Sequence, residues 1–157
     1  MGGATKMYTP HTVTLFNEME VETDNGTEVV VNATILKGVF LDELDAAVVS
    51  QNGLNAADSA SLYIPFSVAA YGLDGNAKAY IPPKAYAVLE DTTDYWTLDP
   101  SGRKSINDCY FCKGEYADEV SSFAELNRSV ERAYRVTGVY LRDFGTSDMQ
   151  HWQVTGK

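Results

Sequence analysis

At 157 residues and 17.2 kDa, with 45% hydrophobic and 22% charged residues, the chain has the size and composition of one folded domain, which excludes wholesale disorder. Acidic residues outnumber basic ones 22 to 12, for a formal charge of −10, and this excludes a protein that grips nucleic acid through clustered Lys and Arg. No apolar run reaches the ~18 residues of a membrane span and no secretory signal opens the chain, so the expectation is a protein made in a reducing cytoplasm.

Residues 1–6 read as a disordered leader or tag, and 7–157 as a single β-rich domain. From Thr12 to Val21 the apolar residues Val13, Leu15, Met19 and Val21 alternate with Thr12, Thr14, Glu18 and Glu20, the period of a strand. Asp24-Asn25-Gly26 follows, with Asn25-Gly26 suited to the two positive φ angles of a type I′ turn. A second alternating run carries Val29, Val31, Ala33, Ile35, Val39 and Leu41, so a long hairpin is expected, with a bulge at Lys37-Gly38. Residues 45–61 lose all period and fill with Ala, Ser, Asn and Asp, which predicts a long inserted surface loop.

Leu62 to Val68 reads as a strand in which Pro65 marks an edge or bulge, and Leu73-Asp74-Gly75-Asn76 reads as a turn. Pro82 and Pro83 then introduce two helical turns over Lys84–Asp91. Tyr95 to Leu98 is a short strand, Asp99-Pro100-Ser101-Gly102 a turn, and Ile106 to Gly114 extended again, which together predict a second hairpin. Ser122 with Glu125 forms a capping box, and Phe123, Leu126, Val130 and Tyr134 recur at helical spacing, predicting one helix over about 122–133. Val136 to Asp143 and His151 to Val154 close the chain as strands around a turn at Phe144-Gly145-Thr146-Ser147. The fold class is therefore mainly β: a β-barrel or sandwich with one helix and a long inserted loop.

Cys109 and Cys112 have the spacing of a redox pair or of half a zinc site. In a strand, however, positions three apart face opposite sides and stand beyond disulfide reach, so two ordinary thiols are expected. A zinc site would need more ligands, and the two histidines, His11 and His151, lie near opposite chain ends that only a barrel would bring together. Glu18, Glu20 and Glu22 alternate as solvated decoration of the first strand. No phosphate loop, nucleophile elbow or His-Glu-x-x-His is present. The expectation is no catalytic residue, no cofactor and no metal, and a protein that is not an enzyme.

Met7 to Leu15 (Met-Tyr-Thr-Pro-His-Thr-Val-Thr-Leu), Asp143-Phe144-Gly145 and Met149 to Val154 (Met-Gln-His-Trp-Gln-Val) resemble blocks of a family of small proteins of tailed phages and prophages of Gram-positive bacteria, encoded among head and tail morphogenesis genes. Ala57-Asp58-Ser59, Leu62 to Phe66, Tyr80 to Lys84 with Tyr86, Trp96-Thr97-Leu98 and Lys113-Gly114-Glu115 extend the resemblance over about 7–157; Cys112 departs from it, an aliphatic residue being commoner there. The layout also resembles head-completion (stopper) proteins, by analogy of fold.

The resemblance implies a structural component of the virion, assembled in the host cytoplasm as a homo-oligomeric ring at the neck. Its partners would be the portal or adaptor and tail proteins, with DNA passing without sequence-specific binding and no membrane involved. His151, Trp152 and Asp143 are then candidate subunit-interface residues, and Asn52, Asn55 and Asp58 candidates for an assembly loop. Alternatives are a tail terminator or tail-tube component and, from another class, a β-type carbohydrate- or protein-binding module stacking ligands on Tyr63, Tyr95, Trp96 or Trp152.

Overall fold

The computed structural model describes residues 8–43, 60–99 and 107–157. The two alternating runs form β1 (His11–Thr23) and β2 (Gly26–Glu43), a long antiparallel hairpin in register from Thr23 opposite Gly26 to His11 opposite Val39. Its turn falls on Asp24 and Asn25, one residue earlier than Asn25-Gly26 predicts. Gly26 instead opens β2 at φ 109°, a conformation that costs a residue without Cβ little, while Thr23 Oγ1 donates to the Gly26 carbonyl at 3.0 Å and accepts from the Asn25 N–H at 3.3 Å. The predicted bulge is present: Lys37 faces Thr12 and Val39 faces His11, so Gly38, at φ 88°, is the extra residue.

The barrel closes because β1 also pairs with β7 (Asn107–Lys113), which passes the ladder to β8 (Ala133–Arg142), β9 (His151–Gly156), β3 (Ala60–Pro65) and back to β2. Of the barrel and sandwich expected, the chain forms a closed six-stranded antiparallel barrel. Inward positions such as Val13, Leu15, Leu36, Val39, Leu62 and Val154 are fully buried and fill it. At about 25 cal/mol per Å² of apolar area removed from water, each such side chain contributes roughly 1.5–3 kcal/mol.

A second cluster forms outside the wall. Phe16 and Tyr110 stack at 5.4 Å and are roofed by Val120 and Leu126, the latter on α2 (Phe123–Ser129). The predicted cap holds, with Ser122 Oγ accepting from the Glu125 N–H at 3.1 Å. The helix stops at Ser129 rather than Ala133, because Val130 is already extended and Ala133 pairs with Cys112 as the first residue of β8. The other expected helix shrinks to the single turn α1 (Pro83–Ala87), with Pro83 in the first turn.

Two strand assignments are corrected. Pro65 marks no edge: it is the last residue of β3, a strand between β2 and β9, and its missing N–H is tolerated because the ladder ends there. β6 (Tyr95–Trp96) makes no hairpin with β7 but pairs in parallel with β5 (Ala79–Tyr80), while β7 lies between β1 and β8. The reason is burial: Trp96 and Leu98 point into the barrel core, where Trp96 meets Tyr80 at 5.1 Å and Trp152 at 5.7 Å. A short strand, β4 (Ala69–Tyr71), pairs with Ile35–Lys37 of β2 beside the barrel.

The leader, most of the inserted loop with Asn52, Asn55 and Asp58, and the turn after Asp99 lie outside the described residues; Ala60 and Ser61, expected in that loop, are strand.

Candidate functional site

β1 and β2 run past their neighbours. Among the described residues β7 pairs with β1 only up to Met19 and β4 with β2 only down to Ile35, so within them the tip of the hairpin is a two-stranded arm. Beside its base lies a groove of about 630 Å³, bounded by Val29 and Val31 of β2, Leu73 and Asp74 of the turn after β4, and Asp118 and Glu119 before α2.

Two polar residues hold the groove open. Asn32 turns its Nδ2 toward the carbonyls of Thr92 and Tyr95, each at 2.9 Å, and the Tyr86 hydroxyl at 3.1 Å. Its Oδ1 accepts from Lys78 Nζ at 2.6 Å, and the same ammonium donates to the Ala33 carbonyl at 2.8 Å and Thr34 Oγ1 at 3.1 Å. Burial pushes the Lys78 amine down to about 8, partly countered by Asp74 and Asp94. With three acceptors around three N–H bonds, Lys78 is a pin between the segment after β4 and β2. Gly72 belongs to the same arrangement, since a Cβ there would stand 2.8 Å from Asp74 Oδ1 and 3.2 Å from Lys78 Cε.

A row of rings crosses the outer face of the barrel. His11 stacks on Phe40 at 5.6 Å, Phe40 on Tyr63 at 5.7 Å, and Tyr63 meets His151 at 5.8 Å. The two histidines are thus brought to one surface but separated by two rings, an arrangement that does not let them share a metal. Among the described residues no three His, Cys, Asp or Glu side chains gather as a metal site would require.

The end of β8 and the turn into β9 leave large apolar side chains in solvent: Tyr140, Leu141, Phe144 and Met149 are 48%, 56%, 70% and 38% exposed. Asp143 is exposed among them, and His151 adjoins them on the outer face, its Nδ1 2.9 Å from the Met149 carbonyl. Trp152 does not join this surface. It is 9% exposed and packs inside against Phe66 at 4.5 Å and Tyr80 at 4.4 Å, because successive β9 residues face opposite ways and its parity is inward. For the same reason Trp96 and Trp152 offer no stacking face to a sugar, while Tyr63 is engaged within the row of rings.

The cysteines sit as the strand geometry predicts, Cys109 in the barrel core and Cys112 in the cluster under α2. Burial pushes their thiols up to about 12 and about 11, the opposite of activation. Glu18 is no solvated decoration: it is half-buried and accepts from the Tyr110 hydroxyl at 2.9 Å, with burial raising its carboxyl above the usual range. Lys78 carries no motif and Asn32 only opens an Asn-Ala-Thr sequon unrelated to the groove, so both escape a reading by pattern. The groove did leave one trace, the unbroken Val29-Val30-Val31 run, where a half-buried strand would alternate.

Neither a search of curated proteins nor one of solved structures finds a match. A family model matches residues 8–157, nearly the whole barrel domain. The chain therefore belongs to that family, DUF6751, a family of unknown function.

Proposed function

We propose that the chain is a structural subunit of a tailed-phage virion, a ring-forming neck protein of the head-completion or stopper kind between portal and tail, with no catalytic role. The observation that carries this reading is the exposed apolar end of β8 and its turn, where Tyr140 and Leu141, on opposite faces of the strand, and Phe144 and Met149 beyond it are each more than a third in solvent. Such a patch marks a protein contact rather than a solvated surface. The barrel interior supports the reading, being packed by side chains rather than hollowed for a substrate. In a ring, that end docks a different face of the next copy, and the rotation between copies sets closure. A charge of −10 lets DNA slide through such a ring without sequence-specific binding, by repelling phosphate.

Sedimentation of the full chain over a concentration series, alone and with portal and tail proteins of the same phage, tests assembly. The wild type is expected to assemble, and Leu141→Glu with Phe144→Glu to remain monomeric with an unchanged unfolding midpoint. Gold labelling of purified particles tests the station: label at the neck supports the stopper role, and label along the tail favours a tail terminator or tail-tube component. A chain that stays monomeric under all conditions and is absent from particles overturns the proposal.

A further inference from the structure

We infer that the outer edge of β2, from Thr27 to Val31, is a strand-addition site for an extended, Lys- or Arg-bearing segment of a partner protein. In an antiparallel hairpin alternate residues turn their N–H and C=O away from the partner strand. Two bonds fix which ones do so here. The Ala33 carbonyl points outward to Lys78 Nζ at 2.8 Å, and on β1 the Thr12 carbonyl points outward to the Gly114 N–H at 2.7 Å. Odd-numbered residues of β2 below the bulge therefore present their backbone to the edge.

Along that edge the partners change in order. β3 takes Phe40–Glu43, β4 takes Ile35–Lys37, and the Lys78 ammonium takes Ala33. Thr27, Val29 and Val31 come next, and among the described residues no strand pairs with their outer side. Free edges are commonly blunted by Lys, Pro or a covering segment, yet Thr27-Glu28-Val29-Val30-Val31 has no Lys and no Pro, and Val29 and Val30 are 49% and 42% exposed. An added strand of five residues would span about 17 Å of this edge, in line with β4.

Charge selects the occupant. The groove along the edge is walled by Asp74, Asp118 and Glu119, and the lone cation of its lining, Lys78, is already held by three acceptors. A second copy of a chain with a charge of −10 is a poor fit, whereas a partner strand alternating apolar residues with Lys or Arg offers side chains to the valines and to the carboxylates. This edge is remote in the strand order from the apolar end of β8, so the failure of either proposal leaves the other standing.

The probe is a labelled seven-residue peptide alternating Val and Lys, set against a Val-Glu peptide and a Val-Lys peptide N-methylated at alternate positions, with the full chain in each case. Hydrogen exchange by NMR is expected to show the Val29 and Val31 amides open in the free protein and slowed at least about tenfold by the Val-Lys peptide. Val29→Pro removes an outward N–H without touching the ladder to β1, and is expected to weaken binding about tenfold or more. The N-methylated peptide tests the same backbone bonds on the unaltered protein, and is expected to bind equally poorly. Several results overturn the proposal: Val29 and Val31 amides already protected in the free chain; equal binding by the Val-Glu or N-methylated peptide; or no binding by about 1 mM. Self-association abolished by Val29→Pro overturns it too, by assigning the edge to a second copy.

Discussion

Asn17 of β1 treats Thr97 as a neighbouring strand would. Its Nδ2 donates to the Thr97 carbonyl at 2.9 Å and its Oδ1 accepts from the Thr97 N–H at 3.2 Å, with both residues fully buried. One side-chain amide thereby satisfies two backbone groups of a segment that β1 does not pair with, and fastens the chain after β6 across the barrel core.

Removing that amide strands both groups. Asn17→Ala is expected to lower stability by about 2–6 kcal/mol, from about 1–3 kcal/mol for each of the two buried groups left unsatisfied. Urea unfolding followed by Trp fluorescence reads the loss, since Trp96 sits one residue from the lost contact. A change below about 0.5 kcal/mol, the size of an ordinary surface substitution, would show the amide to be dispensable.

Gly156 of β9 is a packing glycine. A Cβ there would meet Phe111 Cζ and Tyr134 Cβ, each at 3.0 Å. Gly156→Ala is therefore expected to destabilise by about 1–3 kcal/mol through overpacking, although alanine is intrinsically the better strand residue. Thermal unfolding checks the sign: a raised melting temperature refutes the overpacking.

The two thiols make stability fall at alkaline pH. Unfolded, each has an ordinary pKa of 9.0, while folded Cys109 is pushed up to about 12 and Cys112 to about 11, so the folded state keeps protons that the unfolded state releases. Their contribution is fully present below pH 9 and is lost as pH rises through the folded values, at up to about 1.4 kcal/mol per pH unit for each thiol. The measurement is the difference in unfolding free energy between wild type and Cys109→Ala with Cys112→Ala from pH 8 to 11. That difference is expected to shrink with rising pH, and a constant difference contradicts the burial of the thiols.

Lys78 acts in the opposite direction. Its amine is held at about 8 in the folded state against 10.5 unfolded, so over that window the unfolded state binds more protons and this group's contribution rises with pH. Lys78→Met deletes the donor to Asn32, Ala33 and Thr34 and is expected to cost about 1–3 kcal/mol at pH 7. Its deficit relative to wild type should widen between pH 8 and 10.5. A deficit independent of pH would mean that the ammonium is not desolvated.

The first hairpin, the bulge at Gly38, the Ser122 cap and the opposed cysteines were legible because each is decided within a few residues of sequence. Pairings were not. Alternation in 107–113 says that the segment is extended, but only the closed barrel makes Tyr110 the partner of Phe16, about ninety positions away in sequence. The five consecutive buried residues Val13–Asn17 fit no single-faced strand, because α2 covers the side that the barrel does not. The groove escaped for a similar reason: Asn32 and Lys78 acquire their roles from carbonyls of remote segments, which composition cannot announce.

Gly38 acts as a parity switch within a single strand. Before it the inward residues of β2 are even-numbered, Thr34 and Leu36; after it they are odd, Val39 and Leu41, which leaves Phe40 outside to carry the stacked rings. Straightening the bulge with Gly38 kept in the ladder would swing Phe40 into the interior and turn Val39 and Leu41 out to water, whereas excising Gly38 would join Lys37 to Val39 in a regular ladder with every inward face kept. The evolutionary freedom of the segment is correspondingly asymmetric: substitutions at neighbouring exposed positions change a surface, whereas a side chain at position 38 that draws it into the ladder inverts half a strand.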